Sequence, residues 1–550
     1  MIGKKRSVTD TACELLPERL PCARRLMRLE TALFSGLLSM GGKGEGALAE
    51  GQNLSGRWYP SLATRKPRRG FCYVPGGGTP HGMIYFGDAL YVAYGTGLYR
   101  ATDGEVRLIA TVTDTDKQFF VFGNRLYMYP DKLYMEKGSA MPRSIEIDTG
   151  VLNQLEFQRN AITLPQGMTW KALGFEAGDC LQILIGDDAN LVPEGYYHIK
   201  AVQGRVATVE FTFSTLYTGA ARCLRVVPTL ERYCVSGNRV YGILGENVYV
   251  SREGSAMDWY SRDADGTGPA ILHTGTEEAF TACIPWQGYV AFFKPHGVYK
   301  LLGTRADTFS LQESGGAGLP LRLRETLCEV NGELYYHGEN GVYRYRGQDS
   351  ELVCGTGENE ATGGCGGSDG RAYFLTLRRA DSVRTYVYAP DLGIWYVEDG
   401  MSAFFMAQRQ GFLWAQAGDG YVWMCASDGR VGSGRIDERM AYGEVASSVT
   451  LRTDHAPSPE GFRLVAVYIR ATASAGGEMS VWASYGDGHT NRDAQPGAGI
   501  LLGEFTGAMT DRLLRIPVFA PASDSVSLTL RMKGEWVLHS VVREYERPNS

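Results

Sequence analysis

Acidic pairs are the residues whose type and spacing come nearest to doing chemistry. Two carboxylates about 5–9 Å apart can serve as acid and base, or acid and nucleophile, on a glycosidic bond. Asp114/Asp116, Asp187/Asp188 and Asp263/Asp265 are the candidates. All lie beside turn-forming residues, where an Asp side chain commonly bonds nearby backbone amides, so turn chemistry is the expected role. Asp263-Ala264-Asp265-Gly266 also resembles half of a calcium loop, but Thr267 is a poor third ligand and no closing acid follows. The eight His (His81, His198, His273, His296, His337, His455, His489 and His539) form no HxH or HxxxH pair that would suggest zinc. Ser251-Arg252-Glu253-Gly254 followed by Trp259 faintly echoes a sialidase Asp-box, with Glu in place of Asp and in a single copy. Pro75–Pro80 is Gly-rich, yet no helix and no Lys-Ser/Thr follow it to hold a phosphate. Cys354 and Cys365 flank Gly355–Gly364, read as a flexible hairpin. The expectation is a chain with no catalytic, cofactor-binding or metal residues, and not an enzyme.

Composition narrows the class. Among 550 residues are 70 Gly and 31 Tyr, the Tyr clustered in short runs punctuated by Gly. Tyr favours half-buried strands, and Gly supplies the positive φ of tight hairpins, so the chain reads as all-β. Residues 1–70 hold 13 Lys and Arg against 6 Asp and Glu, while the whole chain is −6. A basic leading arm on an acidic body argues against specific nucleic-acid binding by the body. Eleven Cys without a CxxC, several in apolar runs (Cys180, Cys223, Cys234, Cys283, Cys328), are expected to be buried reduced thiols of a protein made in the cytoplasm. No run of 18 apolar residues occurs, so no membrane helix is expected. Leu26, Leu29, Leu33, Leu37 and Met40 recur every three or four residues and suggest one face of an amphipathic helix.

A repeat supplies the scaffold. An aliphatic–aromatic strand, a Gly/Asn/Asp turn and a second strand return at Leu90–Arg100, Leu126–Met135, Val240–Val250 and Val290–Lys300. They continue at Leu334–Arg344, Ala372–Tyr388 and Phe412–Met424. Apart from one gap of 114, the starts are 36 to 50 residues apart, near the period of a four-stranded propeller blade. Removing the differently patterned stretch between Arg143 and Pro228 restores the period. The tail alternates over longer strands (Ser447–Arg452, Phe462–Ala471, Met479–Tyr485, Leu513–Val518, Ser525–Met532, Trp536–Tyr545), which suits a β-sandwich. Its Trp482, Tyr485, Trp536 and Tyr545 could stack on sugars, though core packing is the expected role. The expected fold is a β-propeller of six or seven blades with an inserted small β-barrel and a C-terminal β-sandwich. The expected boundaries are 1–50 partly helical arm, 51–142 and 229–430 propeller, 143–228 insert and 431–550 sandwich.

Several segments resemble virion structural proteins of tailed phages and prophages. Ser236–Gly242 with Asn238 and Arg239, then Asn247–Ser251, then Asp258-Trp259-Tyr260, is similar to that family's "GNRLWG", "IYAS" and "DPxNW". Gly288–Gly303, with Phe293 and Lys294, is similar to its next strand pair, and Val387–Trp395 and Asn331–Tyr336 match two more segments. Asn53–Pro67, with Tyr59-Pro60 and Arg65-Lys66-Pro67, is similar to its opening stretch. The chain departs from the pattern at Arg252–Met257, where the family more often has a Pro near the Asp. The resemblance implies an architecture like the tail-accessory (stabilization) proteins of short-tailed phages. It implies structural roles for Asn238, Arg239, Asp258, Trp259, Phe293, Lys294 and Trp395. It also implies assembly in the virion with tail or head–tail junction proteins, as a ring-like homo-oligomer. The alternatives are a tail component binding a receptor or host-surface glycan through the sandwich, and a propeller glycoside hydrolase or lyase.

Overall fold

In the computed structural model, residues 26–102, 105–185, 194–262, 265–355, 361–399, 401–430, 445–457, 461–486 and 499–546 are described. Their regular structure is β, apart from two short 3-10 turns at Leu38–Met40 and Leu321–Thr326. No helix among them is long and apolar enough to cross a membrane.

Among the described residues, seven four-stranded antiparallel meanders follow one another along the chain. Each of the seven hairpins legible in the sequence forms the second and third strands of one of these sheets. Second strands such as Ala89–Tyr94 and Glu333–Gly338 are buried on both faces, because each sheet packs between two others. The turn between first and second strands places consecutive residues at positive φ, as at Gly237-Asn238, Gln287-Gly288, Asn331-Gly332 and Gln410-Gly411. That geometry matches the twist of the flanking strands.

First strands line the centre. Pro80–Phe86 lies against Gln118–Phe122 on one side and Ala403–Arg409 on the other, so the sheets close into a β-propeller. The centre is tight. Gly363–Ser368 is a first strand, and a Cβ at Gly366 would stand 2.4 Å from the Thr326 carbonyl oxygen. The Gly-rich run read as a flexible hairpin therefore ends in a crowded inner strand (356–360 lie outside the described residues). The last sheet is completed by Arg69–Tyr73, which pairs with Tyr421–Cys425. Gln416 bridges the seam, accepting from Gly82 N (3.1 Å) and donating to Ala93 O (2.7 Å).

Between the second and third sheets the chain runs through Ile147–Thr163, Cys180–Ile185, Gly195–Gln203 and Val206–Arg225. The last three pair pairwise with one another, and the group has its own apolar core around Phe157, Trp170, Phe175 and Ile199.

Two six-stranded sheets make up the rest of the described residues, and strands from before and after the propeller build them together. Leu26–Thr31, Leu54–Ser55 and Leu62–Thr64 join Arg463–Ala473, Met509–Pro517 and Trp536–Glu546. Leu48–Gln52 joins Ala446–Leu451, Asp454–His455, Glu478–Gly486, Ile500–Thr506 and Ser525–Lys533. This corrects the helical reading of residues 26–40. Leu26 and Leu33 are 49% and 50% exposed, and Leu26–Thr31 is a strand paired with Glu546 back to Val541. It also moves residues 51–64 out of the propeller. Pairing partners some 500 residues away override the local periodicity.

The apolar core of these two sheets runs on into the propeller. Trp395 stacks on Tyr388 (4.7 Å), and its carbonyl accepts from Leu37 N (3.0 Å). Asn53 fixes the same joint, donating from N to Glu398 O (2.5 Å) and from Nδ2 to Ala446 O (2.7 Å).

Residues 445–550 expressed alone lack four of these strands, so they are expected to show no cooperative thermal transition. Tethering residues 26–68 to them should restore one. A cooperative transition in the untethered fragment would refute the shared construction.

Candidate functional site

The residues singled out by motif, all buried except the turn residue Asn238, join parts of the fold. Asn238, at φ 63°, forms the turn before Arg239–Leu244, and its carbonyl accepts from Gly254 N (2.8 Å). Arg239 is 1% exposed; its Nη1 donates to the carbonyls of Ser251 and Gly268, both at 2.8 Å. One side chain thus ties Ser251 to Gly268, the two ends of a long connection. Trp259 seals that loop, with Nε1 donating to Ala256 O (2.9 Å).

Asp258, fully buried, binds His198 Nδ1 across 2.7 Å and accepts from Ser261 Oγ at 2.7 Å. His198 belongs to the group of strands between the second and third sheets, so this pair fastens that group to the propeller. Arg252 adds an ion pair to Glu210, Ser255 Oγ donates to Gly178 O (2.6 Å), and Tyr260 packs on Tyr196 (5.3 Å). The segment that departs from the family pattern, Arg252–Met257, thereby supplies two of these contacts. Arg225 closes the base, bonding Asp179 (2.6 Å) and Ile145 O (2.6 Å).

Phe293 meets Tyr336 edge-on at 5.1 Å and so ties the fourth sheet to the fifth. Lys294 is buried beneath Thr274 and Thr276, donating to their hydroxyls at 2.7 and 2.6 Å, with Phe280 and Tyr299 against its ammonium. Burial lowers its pKa.

Asp114 and Asp116, from the loop between the first two sheets, grip His81 from both sides at 2.7 and 3.0 Å. Asp265 accepts from the backbone N of Thr267 (3.0 Å), the turn chemistry expected of it. Asp187, Asp188, Asp263 and His489 lie outside the described residues. Among the described residues no three His, Cys, Asp or Glu side chains are grouped to hold a metal ion. The described Cys are free thiols, and burial pushes Cys72, Cys223 and Cys365 up to about 12. Cys283 and Cys328 are only partly buried. Trp536 and Tyr545 are core residues, whereas Trp482 is half-buried on an outer face with Arg531 over its ring (5.0 Å).

An open cleft, made of two hollows that share Arg57 in their linings, forms where the stretch after Asn53 crosses the sixth and seventh sheets. Its wide part, about 410 Å3, is lined by Arg57, Trp58, Arg371, Pro390, Leu392 and Tyr396, and also by the acids Asp391 and Asp428. Its narrow part, about 20 Å3, is lined by Arg57, Arg65, Lys66, Arg68, Arg69 and Arg430, with Glu398 the acid on that wall. Asp369 holds the two sheets in position, accepting from Ser427 N (2.7 Å) and Ala372 N (3.0 Å). Trp58 is 58% exposed. Sequence reasoning quoted this stretch for its Tyr-Pro and Arg-Lys-Pro segments but missed Arg57. The basic excess of residues 1–70 was the available signal.

No protein-family model matches the chain, and no curated protein matches it. Among solved structures it is similar to the computationally designed Ika8 protein (10% identity, TM-score 0.34, covering 65% of this chain and 99% of that one). It is similar also to virginiamycin B lyase from Staphylococcus aureus (8%, 0.34, 64% and 96%) and to BamB from Moraxella catarrhalis (9%, 0.31, 72% and 97%). These likenesses are too slight to add to the architecture read from strand pairing.

His198→Ala is expected to lower stability by about 1–3 kcal/mol, since it leaves a buried carboxylate short of a partner. Faster hydrogen exchange across residues 147–225 should accompany the loss. Burial pushes the Asp258 carboxyl up, but the bonds from His198 and Ser261 outweigh it and hold the group below its usual value. Its contribution is therefore present above the unfolded value of about 3.9 and lost as pH falls through the lower folded value. Urea titrations at pH 3 and pH 7 should show the wild type losing more stability than His198→Ala between the two. Equal losses would contradict the assignment.

Proposed function

We propose that this chain is a non-enzymatic virion structural protein of a tailed phage or prophage, docking other tail or head–tail junction proteins. In this reading the seven meanders are seven blades of one propeller. Residues 147–225 are an inserted, partly closed β domain, and the paired six-stranded sheets are a sandwich that shares its core with the propeller. The chain works in the virion as part of a ring-like homo-oligomer. What supports the reading most is the cleft beside Arg57. It lies in and against the opening stretch that resembles the phage family, with a cationic narrow part and a wide part open to a partner. The polar motif residues, by contrast, are spent on internal joints, as structural roles require.

Mass spectrometry of density-purified particles from a host carrying the gene tests this. The chain is expected in a fixed ratio to the major capsid protein after nuclease and protease washing. Its recovery only in the soluble lysate would overturn the proposal.

A second reading, glycan binding, has one observation in its favour. A groove of about 600 Å3 crosses an outer face of the six-stranded sheets, lined by Gln52, Ser448, Ser480, Glu504 and Arg531 among others. Hydroxyl, amide and charged groups of this kind suit sugar hydroxyls. Glycan-array binding by the full chain, lost in Arg531→Ala, is the expected result if that reading holds.

A further inference from the structure

Arg57 lines both the wide and the narrow part of the cleft. Neighbouring cations are matched: Arg65 by the Asn53 side chain, Arg68 by Glu398, and Arg430 by Asp428 at 2.7 Å. The Arg57 guanidinium has no ion pair or hydrogen bond among the described residues. Its Nη1 is buried without a partner, and a Cβ at Gly429 would stand 2.3 Å from it. Burial lowers the Arg57 pKa, and the charge of Glu535 offsets this only in part. A partly buried guanidinium that makes no ion pair is short of counter-charge, and an arriving anion supplies it.

The two parts of the cleft ask for different groups. The narrow part has room for about one water-sized group, enough for a carboxylate oxygen and too little for a tetrahedral phosphate. The wide part offers apolar surface from Trp58, Pro390 and Leu392, with Arg371 paired to Asp428 and with Asp391 also in its lining, so the place for an acid is on Arg57 and not there. We propose that the cleft receives a carboxylate-bearing segment of a partner protein, its carboxylate on Arg57 and an adjacent bulky apolar side chain against Trp58 and Leu392. The proposal rests on the docking reading and names the chemistry of the partner. Exposed aromatic anchors beside an Arg are the residues that dominate such contacts.

The test uses the full chain and a pooled library of fluorescein-labelled hexapeptides. Each carries one Asp or Glu beside a Trp, Leu or Phe, and binding is followed by anisotropy. Members of the pool are expected to bind, and Arg57→Met and Trp58→Ala to weaken them at least tenfold. Peptides with Lys in place of the acid should not bind. Inorganic phosphate and a 20-nucleotide DNA strand should not displace the bound peptides. Arg57→Met is also expected to keep or raise Tm, because it removes a partly buried charge that makes no ion pair; a merely structural arginine would lower Tm when lost. No binding in the pool, binding indifferent to Arg57→Met, displacement by phosphate or DNA, or a lowered Tm in that variant would each overturn the proposal. Recovery of the chain in purified particles together with any of these results would overturn this site and leave the virion reading standing.

Discussion

The pairing of Arg69–Tyr73 with Tyr421–Cys425 is the constraint from which the rest of the molecule follows. A sheet built from both ends of the ring closes the seam with main-chain hydrogen bonds. Once the strand at 69–73 completes the seventh sheet, the residues before it and those after Cys425 leave from the same place. They are then close enough to build one pair of sheets together. Asn53, Arg68 and Trp395 tie that pair of sheets to the sixth and seventh meanders, and the cationic cleft lies in the seam.

The charged groups in the interior act as joinery. Arg239 holds the long loop of the third sheet, Asp258 and His198 fasten the strands at 147–225 to it, and Arg225 with Asp179 fixes the root of those strands. Each such group is costly to bury alone and is satisfied only in one arrangement of its neighbours. The paired six-stranded sheets repeat the device, with Asp454 bound to Arg543 (3.1 Å) and to the Tyr545 hydroxyl.

The sequence disclosed the middle of each sheet and hid its margins, for physical reasons. Second and third strands, such as Ala89–Tyr94 with Gly97–Thr102, carry apolar side chains and a tight turn, so they announce themselves. Fourth strands such as Glu105–Thr111 face solvent and look like loops, while the first strand Gly363–Ser368 is five-sixths Gly and Ser because nothing larger fits. Glycine there signals crowding, not freedom. Leu26–Thr31 gave the wrong period because no local residue reveals its partner, Trp536–Glu546. The motif residues were legible as structural, but which parts they join was not. His198 and Asp258 are 60 residues apart and carry no mutual signal. Arg57 escaped notice for a related reason: an unmatched charge is a property of its surroundings.

The shared construction of the six-stranded sheets sets an order in time. Strands between Leu26 and Thr64 leave the ribosome well before their neighbours between Ala446 and Glu546. At about 5–20 residues per second that separation is a wait of roughly 20–100 s. For most of it Leu48, Leu54 and Leu62, buried in the finished protein, lack the sheets that cover them. The joint sheets therefore close only after every strand of the seven meanders has been made.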